Sequence, residues 1–219
     1  MSGYFQKELS EIKKRILTLG ALVEKHIQMA AEALDKNDAA LAGKVITGDY
    51  EVDEMEVKIE EECLKVLALY QPVAVDLRFL IAGIKINNEL ERIGDQAVNI
   101  AERVEIITRK KKPNFVFDYS VMVEKARNML KMSLDSFVNF DLELAMKVLA
   151  LDDEVDFIQK KAYDKIKAAI TFHTDSVGYL INFLLVSRHL ERLADHATNI
   201  AEEVIYLVEG EIVRHGLKS

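Results

Sequence analysis

The chain has 219 residues, half of them hydrophobic and 30% charged, with two prolines, nine glycines and no tryptophan; the length supports one or two domains and the composition favours helices over a sandwich or barrel. A formal net charge of −8 and a pI near 5.3 argue against a nucleic-acid partner, because a phosphate backbone needs a basic face, and suit cations or basic partner surfaces instead. Cys63 is the sole cysteine, which excludes an internal disulfide or a cysteine-built zinc site and fits a reducing compartment.

The first residues, Met1 to Glu8, lack a basic-then-apolar signal pattern. The most apolar run, Val177 to Val186, is interrupted by Asn182 and falls short of the ~18 residues that suggest a spanning helix. The expectation is a cytoplasmic protein with no membrane span, in which this run is a buried helix segment.

From about Tyr4 to Leu34, the residues Leu9, Ile12, Ile16, Leu19, Val23, Ile27, Ala30 and Leu34 recur at steps of three and four, which predicts a long amphipathic helix. Asp35-Lys36-Asn37-Asp38 breaks it, and Asp38 is placed to cap a short helix through Val45. Thr47-Gly48-Asp49 predicts a second corner and a second cap. From Asp49 a further helix carries Val52, Met55, Ile59, Cys63 and Val66 on one side and Asp49, Asp53, Glu56 and Glu60 along another.

Gln71-Pro72 interrupts that helix, and Pro72 is expected in the first turn of the next, where its missing N–H costs nothing. This third element is expected to run to about Thr108, roughly 50 Å at ~1.5 Å per residue, with a candidate kink at Gly83. Arg109-Lys110-Lys111-Lys112-Pro113-Asn114 reads as a linker whose cations sit solvated at the negative end of a helix; a docking patch is the alternative.

The second half repeats the first. Asp141 to Val148 matches Asp38 to Val45, and Glu154-Val155-Asp156 matches Glu51-Val52-Asp53. Three residues are lost at the corner His173-Thr174-Asp175-Ser176. Each half therefore reads as long, short, long and long helices, and the whole as two helical bundles in tandem, 1–112 and 113–219.

The most specific feature is a repeated stretch. Glu91-Arg92-Ile93-Gly94-Asp95 and Ala97-Val98-Asn99-Ile100-Ala101-Glu102 return as Glu191-Arg192-Leu193-Ala194-Asp195 and Ala197-Thr198-Asn199-Ile200-Ala201-Glu202. On a helical wheel Glu91, Asp95, Asn99 and Glu102 form one stripe, with Leu90, Ile93, Ala97, Ile100, Ala101 and Val104 on the far side. One acidic stripe is usually a solvated face, but solvation does not require the same acids twice.

If the second and third helices of a half are neighbours, Asp49 and Asp53 face Glu91 and Asp95, and Asp152 and Asp156 face Glu191 and Asp195. At about 4 Å and an effective dielectric of about 20, each like-charged pair repels by roughly 4 kcal/mol. The compensating charge is Arg92 and Arg192, a proton, or a bound cation. An all-oxygen set suits Mg, Ca, Mn or oxo-bridged iron, whereas zinc more often takes nitrogen or sulfur; spacing leaves metal and an arginine-neutralised network both open.

A di-iron oxidase would need Glu-x-x-His, and no glutamate here is followed three residues later by histidine. His189 and His196 flank the second motif, but the first has Glu89 and Gln96 there, so both read as surface or boundary histidines. Phosphate loops, His-Glu-x-x-His and nucleophile elbows are missing. Met29, Met55, Met122, Met129, Met132 and Met146 read as core filling.

At the two Glu-Arg-x-x-Asp copies, and with Pro72-Val73-Ala74-Val75-Asp76-Leu77-Arg78 before the first, the sequence resembles the PhoU family, regulators of bacterial phosphate uptake. The likeness covers nearly the whole chain. It implies an all-α fold of two tandem, pseudo-symmetric three-helix bundles, and metal clusters, iron or zinc, held by Glu/Asp-x-x-x-Asp pairs. Carried onto this chain, the ligands would be Asp49, Asp53, Glu91, Asp95, Asp152, Asp156, Glu191 and Asp195.

The resemblance also implies no enzymatic activity. It points to a cytoplasmic homodimer peripheral to membrane complexes, an adaptor between the ATPase subunit of a phosphate ABC transporter and a PhoR-type sensor kinase. Gln159 and Tyr163 stand where the first half has Glu56 and Glu60, and Pro72 to Arg78 has no second-half counterpart, so the halves are not equivalent. The competing readings are a carboxylate-bridged metal enzyme and a metal-free helical scaffold.

Overall fold

The computed structural model describes residues 3–210. Within them the chain forms six long helices: α1 (Gly3–Lys36), α2 (Ala39–Tyr70), α3 (Ala74–Thr108), α4 (Ser120–Asn139), α5 (Leu142–Phe172) and α6 (Val177–Glu209), with one 3-10 turn at Thr174–Ser176. They form two three-helix groups, α1 to α3 and α4 to α6, and the fold is all-α.

The periodic apolar residues of α1, from Leu9 and Ile12 to Ile27 and Ala30, are buried as their spacing requires. The joint between α1 and α2 shows how tightly the repeat is kept. Asn37 takes a left-handed conformation at φ 54°, and Asp38 then caps α2 by accepting from Ala40 N at 2.9 Å and Leu41 N at 3.0 Å. At the matching joint, Phe140 has φ 54° and Asp141 accepts from Leu144 N at 2.9 Å. A short acid at such a position satisfies amide donors that the helix leaves unpaired.

Three local expectations are corrected. No corner exists at Thr47-Gly48-Asp49: α2 runs unbroken through it, so each half has three long helices rather than three long and one short. Thr47 satisfies its hydroxyl within the helix by donating to Gly43 O at 2.9 Å. Gly48 serves packing rather than turning, since a Cβ there would stand 3.1 Å from Nε2 of buried His26 in α1. Pro72 lies outside α3, one residue before its N-cap Val73. Finally, α3 is continuous through Gly83, where a Cβ would meet Ile16 Cδ1 at 3.4 Å.

The two halves meet chiefly through α3 and α6, the helices carrying the repeated motif. Lys85 reaches Glu203, Glu89 reaches His196, Gln96 reaches His189 and Arg103 reaches Asn182. One number rises as the other falls, so the two helices run antiparallel. Among the described residues no helix is long and apolar enough to cross a membrane.

Candidate functional site

Each acidic rail stands at a seam between two helices of one half. In the first half Asp49 and Asp53 come from α2, Glu91 and Asp95 from α3. Val52 fixes the approach: it is fully buried, and a Cβ on Gly94 would lie 3.2 Å from its Cγ1 and 3.8 Å from Oδ1 of Asp49. Asp49 thus lies over α3 beside Gly94 and Asp95, and Asp53, one turn on, is the α2 acid that acts on both Glu91 and Asp95. The apolar side of each helix points inward, leaving the acids half-buried or exposed on the rim.

Electrostatics follow from that placement. Burial, then repulsion from Asp53 and Asp95, pushes the Asp49 carboxyl up to about 6. Burial raises Glu91, helped by Asp95, Asp53 and Glu56 and opposed by Arg92. Burial and Asp53 raise Asp95 against the opposing pull of His196 and Arg92. Like charges brought together in a partly desolvated seam disfavour ionisation.

The second half repeats the pattern on α5 and α6. Burial pushes Asp152 up to about 6, with Asp195, Asp156, Asp153 and Glu191 adding to it. Burial also raises Glu191 and Asp195, each with Asp156 as a repelling neighbour. Oδ1 of Asp152 is buried with no hydrogen-bond partner, an acceptor left without a donor.

The sequence-predicted acids are therefore brought to their seams in two groups, Asp49, Asp53, Glu91 and Asp95, and Asp152, Asp156, Glu191 and Asp195. They do not converge to ligating distance: among the described residues, no three His, Cys, Asp or Glu side chains are grouped so as to hold a metal ion. Arg92 and Arg192 are exposed, and neither makes an ion pair with a rail among the described residues. The donor chemistry of all-oxygen rails fits a hard cation, and the orphaned Asp152 oxygen fits a missing positive partner.

The polar seam between the two motif helices was not legible beforehand. His196 Nδ1 donates to Oε2 of Glu89 at 2.6 Å, and Asn199 Nδ2 donates to the same oxygen at 3.1 Å. His189 Nδ1 lies 3.0 Å from Oε1 of Gln96, whose Nε2 donates to Arg92 O at 3.4 Å. Burial, then Arg103 and Arg192, pushes His189 down to about 4, so its ring is neutral at pH 7 and Nδ1–H is the donor. His189 and His196 are thus boundary histidines, half-buried, whose partners lie in the first half.

The fold and the rails define a class: a duplicated helical-bundle protein with an acidic seam in each half and no catalytic constellation among the described residues. The family model of the PhoU domain matches residues 16–104 and 119–204, one match per half, and the chain belongs to that family. It is similar to the phosphate-specific transport system accessory protein PhoU homolog of Pseudomonas putida, 38% identical over 220 residues, with 100% of this chain and 86% of that protein covered. The corresponding homolog of Aquifex aeolicus is 40% identical over 209 residues, covering 95% of each. The crystal structure of PhoU from Pseudomonas aeruginosa superposes with a TM-score of 0.89 at 36% identity, covering 94% of this chain and 100% of that one. The phosphate transport system regulatory protein PhoU of Streptococcus pneumoniae gives 0.86 at 30% identity, covering 96% and 100%.

Proposed function

We propose that this chain is a negative regulator of phosphate uptake and of the phosphate-starvation response. It acts as an adaptor between the ATPase of a phosphate ABC transporter and a PhoR-type sensor kinase, and its two acidic seams hold metal cations. Membership of the PhoU family supports the regulatory, non-enzymatic part. Residues 1–112 and 113–219 are taken as its two repeats.

One observation carries the cation part: Asp49 and Asp152, at matching places in the two halves, are both driven up to about 6 by burial and by acids across the seam. Arg92 and Arg192 ease the repulsion but, among the described residues, neither forms an ion pair with a rail, and burial and like charge still prevail at Glu91, Asp95, Glu191 and Asp195. Asp49, Asp53, Glu91 and Asp95 would hold the first cation group, and Asp152, Asp156, Glu191 and Asp195 the second. A bound cation removes the repulsion, draws the carboxylates inward by rotamer change and locks α2 to α3 and α5 to α6.

The test is elemental analysis of protein purified without chelator, for the wild type, Glu91→Gln/Asp95→Asn and Glu191→Gln/Asp195→Asn. Each pair is expected to lower metal content by the share of its own half, while circular dichroism stays helical. Unchanged metal content in both pairs overturns the cation part. Co-purification of transporter ATPase or sensor kinase from phosphate-replete cells tests the adaptor part, and absence of both overturns it.

A further inference from the structure

Away from the acidic rails, the linker and the starts of α4 and α6 enclose an aromatic groove of about 680 Å³ beside the C-terminal end of α1. Leu34, Phe115, Phe117, Val123, Tyr179 and Phe183 line its apolar part. Its floor is rigid. Tyr119 donates its buried hydroxyl to Phe183 O at 2.7 Å, and the Phe183 ring meets Tyr119 at 4.9 Å, Tyr179 at 5.8 Å and Phe115 at 6.3 Å. Val116, beside these rings in the chain and also lining the groove, is 80% exposed. A space of this size, apolar and pre-formed, suits one bulky side chain and its neighbours.

The groove opens beside the strongest positive charge on an otherwise acidic chain. Lys110, Lys111 and Lys112 are exposed and, among the described residues, have no carboxylate partner. Lys112 lines the groove, and the Lys110 stem lies against the start of α6, 3.3 Å from where a Gly178 Cβ would stand. Arg127 and Lys125 nearby are committed to Glu24 and Glu154. The three lysines, with exposed Lys165 standing 5.6 Å over the Phe117 ring, are therefore cations open to an incoming ligand.

We infer that this groove is a docking site for an acidic protein segment, which seats an aromatic or large aliphatic side chain among Phe115, Phe117 and Phe183 while its carboxylates pair with Lys110, Lys111 and Lys112. Rim charges of this kind steer encounter and fix register, and the apolar anchor supplies the affinity. An anionic membrane fits less well. Asp35, Asp118 and Glu124 also line the groove and would repel a continuous anionic sheet, whereas a peptide places its acids only where the lysines are. The biological role of such a partner rests on the adaptor reading; the binding itself does not.

The test uses the full chain and labelled synthetic peptides of about twelve residues, a length suited to groove binding: glutamates around one phenylalanine, the same with lysines for glutamates, and the same with alanine for phenylalanine. Fluorescence polarisation is expected to detect only the first, and Lys111→Glu/Lys112→Glu is expected to weaken it about tenfold. Val116→Asp, an exposed change that leaves the core intact, is expected to weaken it as well. Equal binding of the lysine or alanine peptide overturns the inference, as does unchanged binding by both variants. Tighter binding to phosphatidylglycerol vesicles than to the first peptide, or a dimer that Val116→Asp dissociates, also overturns it.

Peptide binding is read on purified protein and regulation in cells. A wild-type chain that represses the phosphate response in cells but does not bind the peptide overturns the groove and leaves the adaptor reading. A wild-type chain that binds the peptide but fails to restore repression to cells lacking it does the reverse.

Discussion

His196 Nδ1 lies 2.6 Å from Glu89 Oε2, and the pair is one half of an exchange: Gln96, which aligns with His196, meets His189, which aligns with Glu89, at 3.0 Å. Two antiparallel helices of related sequence place aligned positions opposite each other's partners. The halves differ at these two positions so that each side supplies what the other lacks.

Glu89→Ala is expected to cost on the order of 2 kcal/mol, because it leaves His196 and Asn199 without their acceptor in a half-buried seam. Glu89→Gln, which keeps an acceptor, costs less. Burial alone would raise Glu89, but the hydrogen bonds from His196 and Asn199 outweigh it and hold the carboxyl below its ordinary value. Its contribution is therefore present above the unfolded pKa and lost as pH falls through the lowered folded one. Urea unfolding of wild type and Glu89→Gln should converge in acid; curves equally separated at all pH values would refute this.

Asp49 and Asp152 work in the opposite sense. Both are pushed up to about 6, so the folded, chelated protein binds protons that the unfolded chain releases, and each carboxyl destabilises it increasingly as pH rises from about 4 to above 6. Asp49→Asn/Asp152→Asn should stabilise the chelated protein at pH 7.5 by on the order of 1 kcal/mol per site after solvent screening. The gain should shrink below pH 6 and vanish near pH 4. Chemical denaturation across that range measures it.

His189, pushed down to about 4, opposes that trend. The unfolded ring takes up a proton near pH 6.5, which the folded one refuses until about 4, so folding loses stability as pH falls between them. His189→Gln should therefore gain on the wild type between pH 7.5 and pH 5, by on the order of 1 kcal/mol after screening. A difference curve flat in pH would show that the ring is not the source.

Gly20 in α1 is crowded by α4: a Cβ would stand 2.4 Å from Leu134 Cδ1. Gly20→Ala is expected to cost about 1–3 kcal/mol by overpacking, offset in part by the ~1 kcal/mol helix preference of Ala. In a Leu134→Ala background the overpacking disappears, so the double variant should be more stable than the two single costs predict. Simple additivity would count against a direct clash.

Most of the architecture was legible because its causes are local. The 3.6-residue spacing of Leu9 to Ala30, the acids Asp38 and Asp141 at helix starts, and the one-hundred-residue return of Glu-Arg-x-x-Asp each specify their element without help from elsewhere. Thr47-Gly48 was misread because a turn pair and a close-packed helical glycine look alike in one dimension; only His26, in another helix, tells them apart. The rails were visible as spacing, while the rise of Asp49 and Asp152 and the bare Asp152 oxygen depend on the distance between helices. Glu89 against His196 was hidden by alignment itself, since comparing like with like marks those positions as mismatches when they are partners.

The antiparallel packing of α3 on α6 also decides what each half can pair with. A first half laid against a copy of itself would set Glu89 opposite Gln96, and a second half against its own copy would bring His189 up to His196. Neither arrangement supplies the hydrogen bond between a histidine and a carboxylate that the mixed pairing gets from unlike repeats. The two repeats have therefore diverged at the positions where they touch, so that at this seam the copies are complementary and no longer interchangeable.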